Sequence, residues 1–200
     1  MAKPIIVVEG KNDMEFVCIL LSKFNKNLAK IKTFDNVGNK KEKKYKETDL
    51  IRNLMQKYSP IDTLIKAENG KSNVFTLIYS IMSFIISHGE LKLYVIFDHD
   101  DKNPSDDIND LINRIRTRIK ETSIQITMCK EIINNHLFEW ELTITTAKSK
   151  RVIIIYTFKK SLEFSIKFDK KKRATLNLCI NQFIKEYEQY FRESHLIINI

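Results

Sequence analysis

The sequence predicts an α/β protein in which a mostly parallel central sheet is flanked by helices. Residues 5–8 (IIVV) and 93–97 (LYVIF) are continuous apolar runs without the polar alternation of a half-exposed strand. Such runs are typical of parallel strands that are covered on both faces. Each run also leads through a polar turn into a segment with helical apolar spacing, which is the order of elements that builds a parallel sheet.

The first apolar strand ends in Glu9 and Gly10, and an amphipathic helix follows. Ligands of open α/β sheets bind outside the carboxyl ends of the strands, so Glu9 occupies a ligand-binding position. Gly10 allows the backbone to turn sharply. We expect Asn12 to cap the helix, with Glu15 in capping-box register. The predicted buried face consists of Phe16, Val17, Leu20, Leu21 and Phe24.

Further elements are predicted between the two apolar strands. Residues 27–60 form a lysine-rich stretch with a strand at about 30–38 and a helix at about 48–58. Residues 61–66 alternate as a short strand. The apolar run at 74–86 predicts a buried helix, because it is interrupted by polar residues and falls short of the roughly 20 residues of a membrane span.

The second apolar strand ends in the acidic run 98–101 (DHDD). Ser105 is expected to cap the next helix, whose first turn holds acidic residues and whose last turn holds basic residues, as the helix dipole favours. Residues 124–128 then alternate as another strand.

The pattern changes near residue 130, which divides a predicted domain of residues 1–130 from a C-terminal α+β extension of residues 131–200. We expect this extension to pack against the same sheet. Its predicted elements are strands at 136–146, 150–158 and 162–168, and a helix at about 174–191.

Composition narrows the class of protein. The chain has 200 residues and a net charge of +9, from 34 basic and 25 acidic residues, which favours a polyanionic partner such as nucleic acid. Three cysteines without paired spacing predict no disulfide framework, and their apolar neighbours predict buried side chains. We find no apolar signal segment and no membrane span, so we expect a cytoplasmic protein without a membrane partner.

Three carboxylates are predicted to meet at one rim of the sheet. Glu9, Asp98 and Asp100 each follow the carboxyl end of an apolar strand. In an extended segment Asp98 and Asp100 lie on the same side and His99 points away. Carboxylate oxygens suit Mg²⁺, which usually keeps several waters that phosphate oxygens can replace. The spacing therefore predicts a shared Mg²⁺ or Mn²⁺ site.

The motifs VVEGKND at residues 7–13 and VIFDHDD at residues 95–101 resemble the Toprim domain. This domain occurs in type IA and type II topoisomerases, bacterial-type primases, small ribosomal-RNA maturases and overcoming-lysogenization-defect nucleases. The resemblance covers about residues 3–130, is most similar to the small stand-alone and nuclease branches, and implies a Toprim-type Rossmann-like fold. It extends to NGKSNV at residues 69–74, which is similar to the glycine-lysine loop of those branches.

The resemblance implies specific roles. Glu9 would be the family's acid/base glutamate, and Asp98 and Asp100 its metal-binding aspartates, so that all three are candidate catalytic and metal-site residues. Asp13 matches the aspartate at the start of the first helix, and Asp101 is a second possible accessory residue.

Two further predictions concern the edges of the site. Candidate phosphate contacts are Gly10, Lys11, Gly70 and Lys71, although Lys11 is equally well explained as solvated surface and the GxxxxGK[ST] spacing is absent. Glu139 or Glu141 could supply an extra carboxylate, although an ordinary alternating strand explains that segment.

Three functions remain open from the sequence. The first is a Mg²⁺- or Mn²⁺-dependent nuclease acting on DNA or RNA. The second is a non-catalytic nucleic-acid or nucleotide-binding module within a repair, replication or RNA-processing assembly. The third is nucleotidyl transfer or primer synthesis, which uses the same metal chemistry.

Overall fold

The computed structural model describes residues 3–24, 26–35, 49, 51–56, 59–100, 102–119, 123–133, 136–169 and 173–198. Its strands are β1 (Lys3–Val8), β2 (Ile31–Asp35), β3 (Thr63–Ala67), β4 (Leu91–Asp98), β5 (Ser123–Ile133), β6 (Leu137–Thr145) and β7 (Lys150–Phe158). Its helices are α1 (Lys11–Lys23), α2 (Lys71–Ser87), α3 (Pro104–Arg118), α4 (Leu162–Ser165), α5 (Leu176–Glu186), α6 (Glu188–Glu193) and α7 (His195–Ile198). Residues 51–55 are also helical.

The described strands form one seven-stranded sheet in the order β2-β3-β1-β4-β7-β6-β5. Four neighbouring pairs are parallel, namely β2–β3, β3–β1, β1–β4 and β4–β7, whereas β6 is antiparallel to both β7 and β5. The predicted α/β class with a mostly parallel sheet is therefore confirmed. Strands β6 and β7 extend the sheet that β1 and β4 begin.

The two predicted apolar strands lie next to each other at the centre of this sheet, where β1 pairs with both β3 and β4. Residues 5–8 are fully buried, as predicted for a strand covered on both faces. Their side chains alternate between two apolar cores. One core includes α2 and α3, and the other includes α1 and α5.

Two predicted helix caps are wrong. Gly10, not Asn12, is the N-cap of α1, and its backbone N–H donates to Asp13 Oδ2 at 2.8 Å. At α3 the N-cap is Asn103 rather than Ser105, because the Asn103 side chain accepts from the Ser105 backbone N–H. Pro104 then occupies the first helical turn, where its missing N–H costs no hydrogen bond.

The C-terminal prediction is partly wrong. The segment 162–168 contains the short helix α4 in place of the predicted strand. The predicted helix at 174–191 is interrupted, since α5 ends at Glu186 and α6 begins at Glu188.

Two other predictions concern the region before β3 and the membrane. Of the predicted helix at 48–58, residues 51–55 are helical, and the charged run 40–46 lies outside the described residues.

Within the described residues, no helix is both long and apolar enough to span a membrane.

Candidate active site

The carboxyl ends of β3, β1, β4 and β7 meet at one rim of the sheet. The Glu9 backbone N–H donates to the Ile96 carbonyl at 3.1 Å, and the Glu68 N–H donates to the Val8 carbonyl at 3.1 Å. On the other side of β4, the His99 N–H donates to the Phe158 carbonyl at 2.9 Å. The loops that follow these strands are therefore contiguous, as expected for the ligand-binding rim of an α/β sheet.

Glu9 and Asp98 are joined directly at this rim. The Asp98 backbone N–H donates to Glu9 Oε2 at 3.1 Å, which orients the glutamate across the ends of β1 and β4. Asp98 Oδ1 is buried and has no hydrogen-bond partner in the described part of the chain. Because a buried carboxylate oxygen normally has a partner, this oxygen is a candidate ligand atom for a bound group.

Asp13 lies beside these two carboxylates at the start of α1. Its side chain is buried, and Oδ2 accepts from the Gly10 N–H. Burial raises the pKa of Asp13 to about 7 against the opposing effect of that hydrogen bond, and the negative charges of Glu163 and Glu9 raise it further. The matched aspartate is therefore part of the acidic group.

Glu163 on α4 completes the group, and sequence reasoning missed it. Asn12 Nδ2 donates to Glu163 Oε1 at 2.9 Å, which ties α4 to α1. The overlooked signal was Ser161, whose hydroxyl caps α4 by accepting from the Phe164 N–H at 3.1 Å. Alternating apolar residues at 162–168 gave the competing strand prediction.

The acidic group carries more negative charge than its surroundings neutralise. Burial, together with the charges of Asp13, Glu9, Glu163 and Asp100, raises the pKa of Asp98 to about 9. Burial also raises the pKa of Glu9. These carboxylates therefore need protons or a cation to share the rim at neutral pH.

The alternation predicted for residues 98–100 does not hold, because the backbone turns at Asp100 with a φ of +52°. The Asp100 carboxylate is 63% exposed and lies 3.4 Å from Lys71 Nζ. Of the charges that raise the pKa of Asp98, that of Asp100 has the smallest effect. A role for Asp100 as a metal ligand therefore requires its side chain to leave Lys71.

His99 is buried and forms a cluster with the partly buried side chains of Asp107 and Lys71, and Lys71 joins this cluster to the rim through its contact with Asp100. His99 Nδ1 is 2.9 Å from Asp107 Oδ2, and Lys71 Nζ is 3.0 Å from the same oxygen. Burial lowers the pKa of His99. Although burial opposes it, hydrogen bonding to His99 and Lys71 lowers the pKa of Asp107. This cluster holds the turn after β4 against α3.

The predicted phosphate contacts are mostly engaged within the protein. The Gly10 N–H donates to Asp13, and the Gly70 N–H donates to the Glu9 carbonyl at 2.9 Å. Gly70 has a φ of +119°, which only glycine adopts readily. Lys71 contacts Asp107 and Asp100, as described above, while Lys11 is exposed at the start of α1.

Of the remaining candidate acids, the two that the structure describes do not join the site. Glu139 Oε1 is 2.7 Å from His195 Nδ1, and Glu141 Oε1 accepts from the Thr127 hydroxyl at 2.7 Å. Asp101 lies outside the described residues. At the end of β3, the buried Lys66 and Glu68 side chains form an ion pair that the sequence reasoning did not predict.

The donor set of the rim suits a hard cation such as Mg²⁺, because Glu9 and Asp98 offer carboxylate oxygens and Asp98 Oδ1 lacks a partner among the described residues. In that part of the chain, no three His, Cys, Asp or Glu side chains already stand in an arrangement that could hold a metal ion. A cation at Glu9 and Asp98 would therefore complete its shell with water or substrate oxygens, which is usual for Mg²⁺.

The fold and rim together define an α/β protein with a Rossmann-like sheet and an acidic site at the carboxyl ends of its parallel strands. Comparisons with protein-family models, curated proteins and solved structures found no match to this chain.

Proposed function

We propose that this protein is a Mg²⁺- or Mn²⁺-dependent nuclease with a Toprim-type site. The observation that carries the proposal is the hydrogen-bonded pair of Glu9 and Asp98 at the ends of adjacent parallel strands, with Asp98 Oδ1 buried and unpartnered in the described residues. The motifs VVEGKND and VIFDHDD support the same proposal, since they provide these two acids.

In this proposal Glu9 and Asp98 hold the cation, and Asp100 joins them when its side chain leaves Lys71. A bound Mg²⁺ or Mn²⁺ would stabilise charge on the scissile phosphate and lower the pKa of an attacking water. Glu9 is also the carboxylate that the proposal assigns to proton exchange during cleavage, when it is not bound to the cation. Asp13 positions the Gly10 turn through its hydrogen bond.

Nucleic acid is the proposed substrate because the chain has a net charge of +9 although its rim is acidic. Basic surface elsewhere would neutralise backbone phosphates and give affinity that decreases with salt. The acidic rim would bind a phosphodiester only with a cation between them, so cleavage should require a divalent metal.

The test is cleavage of labelled single-stranded and double-stranded DNA and RNA in Mg²⁺, Mn²⁺ or EDTA. Glu9→Gln keeps the side-chain shape but removes its charge, so it should reduce cleavage by at least about 100-fold, the low end for losing a positioned acid or base. It should leave nucleic-acid affinity unchanged or slightly higher. Glu90→Gln is the matched control, because Glu90 is exposed just before the amino end of β4.

Cleavage that survives Glu9→Gln would remove Glu9 from the mechanism. If the wild type binds nucleic acid but cleaves none of the four substrates, the non-catalytic binding module becomes the better account.

A further inference from the structure

A half-exposed aromatic ring lies on α4, the short helix that contributes Glu163 to the acidic group. Phe164 on α4 is 52% exposed, although its neighbours Leu162 and Ser165 are buried. The preceding residue is Glu163, which bonds to Asn12 and raises the pKa of Asp98. The ring is therefore exposed to solvent on the same short helix as one of the acids of the proposed site.

Two further side chains accompany the ring. Lys160 Nζ lies 4.5 Å from the centre of the Phe164 ring, which is a cation–π distance. The His136 ring lies with its centroid 6.2 Å from that of Phe164, at an interplanar angle of 33°. We call His136, Lys160 and Phe164 the aromatic shelf.

Backbone hydrogen bonds attach the aromatic shelf to the rim. The Asp100 N–H donates to the Lys160 carbonyl at 3.2 Å, and the Lys159 N–H donates to the His136 carbonyl at 3.0 Å. The shelf therefore adjoins both the turn that carries Asp100 and the helix that carries Glu163. A nucleotide whose phosphate lies at Glu9 and Asp98 would have its neighbouring bases near this surface.

We propose that the aromatic shelf stacks an unpaired nucleobase, so that the substrate is single-stranded nucleic acid or an unpaired segment of it. This inference rests on the proposed function. Proteins bind single strands by combining basic groups for the backbone with aromatic faces for the bases, and every base offers such a face. The bases of a duplex are already stacked on each other, so they cannot use the shelf without being unpaired.

The test measures binding by fluorescence anisotropy in Ca²⁺, a divalent cation with oxygen ligands that can take the place of Mg²⁺ at the carboxylates and so lets a phosphate reach the rim. The probes are checked for integrity after each titration, so that the outcome does not depend on cleavage. The probes are labelled single-stranded DNA, single-stranded RNA and duplexes of the same sequence. Phe164→Ala should weaken single-strand binding on the order of ten-fold, as expected when the stacking of one base is removed, and change duplex binding less than about two-fold. Phe164→Tyr should retain wild-type affinity. The two single strands show whether DNA or RNA is preferred.

Leu178→Ala is the matched control, because Leu178 is a 59% exposed apolar side chain on α5. It should leave all affinities unchanged. Phe164→Trp adds a direct readout, since its fluorescence should be quenched when a base stacks on it. The single native Trp140 is buried and donates to Thr157, so it provides a steady background.

Three outcomes would overturn the inference. Phe164→Ala could bind single strands as the wild type does, it could weaken single-strand and duplex binding equally, or Phe164→Trp could show no quenching beyond that of the wild type. Each would leave the proposed nuclease function standing if the wild type still binds nucleic acid. Wild-type protein that binds none of the probes would contradict the nuclease proposal and the shelf together.

Discussion

Asp98 combines burial with negative charge from several neighbours, and this combination makes it the central residue of the site. Its backbone N–H holds Glu9, while one of its own carboxylate oxygens has no partner among the described residues. A residue that only stabilised the fold would not need a charge there. The arrangement is stable at neutral pH only when a proton or a cation offsets that charge.

This residue predicts how stability depends on pH without divalent cations. The folded pKa values of Asp98 (about 9) and Asp13 (about 7) lie above the ordinary value of 3.8. Between pH 3.8 and its folded pKa, each carboxyl group therefore binds more protons in the folded state than in the unfolded state. The contribution of these two groups to stability is fully present below about pH 4. It decreases as pH rises and is lost once pH has passed about 7 for Asp13 and about 9 for Asp98.

Asp98→Asn should accordingly raise the melting temperature in EDTA at pH 8 and make it less dependent on pH between 5 and 9. Each 1 kcal/mol gained corresponds to about 2–4 °C for a chain of this size. The measurement is differential scanning calorimetry across this pH range, with the exposed Asp110→Asn as control. A destabilised Asp98→Asn with unchanged pH dependence would show that the carboxylate is not under the repulsion described here.

At the scale of elements, the sequence predicted the strands that build the rim better than the helix that completes it. The apolar runs at 5–8 and 93–97 are short and are followed by polar turns, which favours strands covered on both faces over helices. Glu9 and Asp98 were predictable as site residues because they follow these runs. Glu163 was not, since its position depends on a four-residue helix and on packing against α1.

The turn after β4 shows the same limit. Extended alternation assigned Asp98 and Asp100 to one side, but the left-handed backbone at Asp100 turns its carboxylate toward Lys71. Few residues other than glycine, asparagine and aspartate adopt this conformation readily. A single sequence does not reveal which residue of an acidic run will turn. The cysteines are a similar case, since Cys129 is exposed on β5 rather than buried as its apolar neighbours predicted.

The Ser161 cap provides a prediction for α4. Ser161→Ala removes the acceptor of the Phe164 N–H, which should destabilise the protein by about 1 kcal/mol and loosen the position of Glu163. Ser161→Asn should preserve the cap without adding charge beside Glu163. Hydrogen exchange at the Phe164 amide, together with the melting temperature, measures the effect. If Ser161→Ala and the wild type exchange equally, the hydroxyl does not hold this helix.

At the scale of the whole molecule, the site assembles from distant parts of the chain on a single sheet. The Asp98–Glu9 hydrogen bond spans 89 residues, and the Asn12–Glu163 hydrogen bond spans 151. Both the N-terminal strands and the segment after β7 are thus required for the acidic group. The chain as a whole is basic, with a net charge of +9, although this rim is acidic.

Net charge predicts a separation of binding from catalysis. Lys43→Glu/Lys44→Glu in the charged run 40–46 should weaken nucleic-acid binding and flatten its salt dependence. The slope of log K against log salt concentration should decrease in magnitude by about 0.7 to 0.9 for each phosphate that is no longer neutralised. Cleavage at saturating substrate should change little. Lys148→Glu/Lys150→Glu is a control of equal charge at two exposed positions, one in the turn before β7 and one at the first residue of β7. Equally weakened binding in both variants would assign the effect to overall charge rather than to this run.

Binding of Mn²⁺ is the measurement that tests the central claim most directly, because the proposed chemistry requires a cation at Glu9 and Asp98. The electron paramagnetic resonance signal of free Mn²⁺ decreases when Mn²⁺ binds to protein, so the amount bound at neutral pH is obtained by difference. The wild type and Asp110→Asn should reduce this signal in proportion to protein concentration, and added Mg²⁺ should restore it by competition. Asp98→Asn should bind far less Mn²⁺ than either. An Asp98→Asn variant that binds Mn²⁺ as tightly as the wild type would contradict the account.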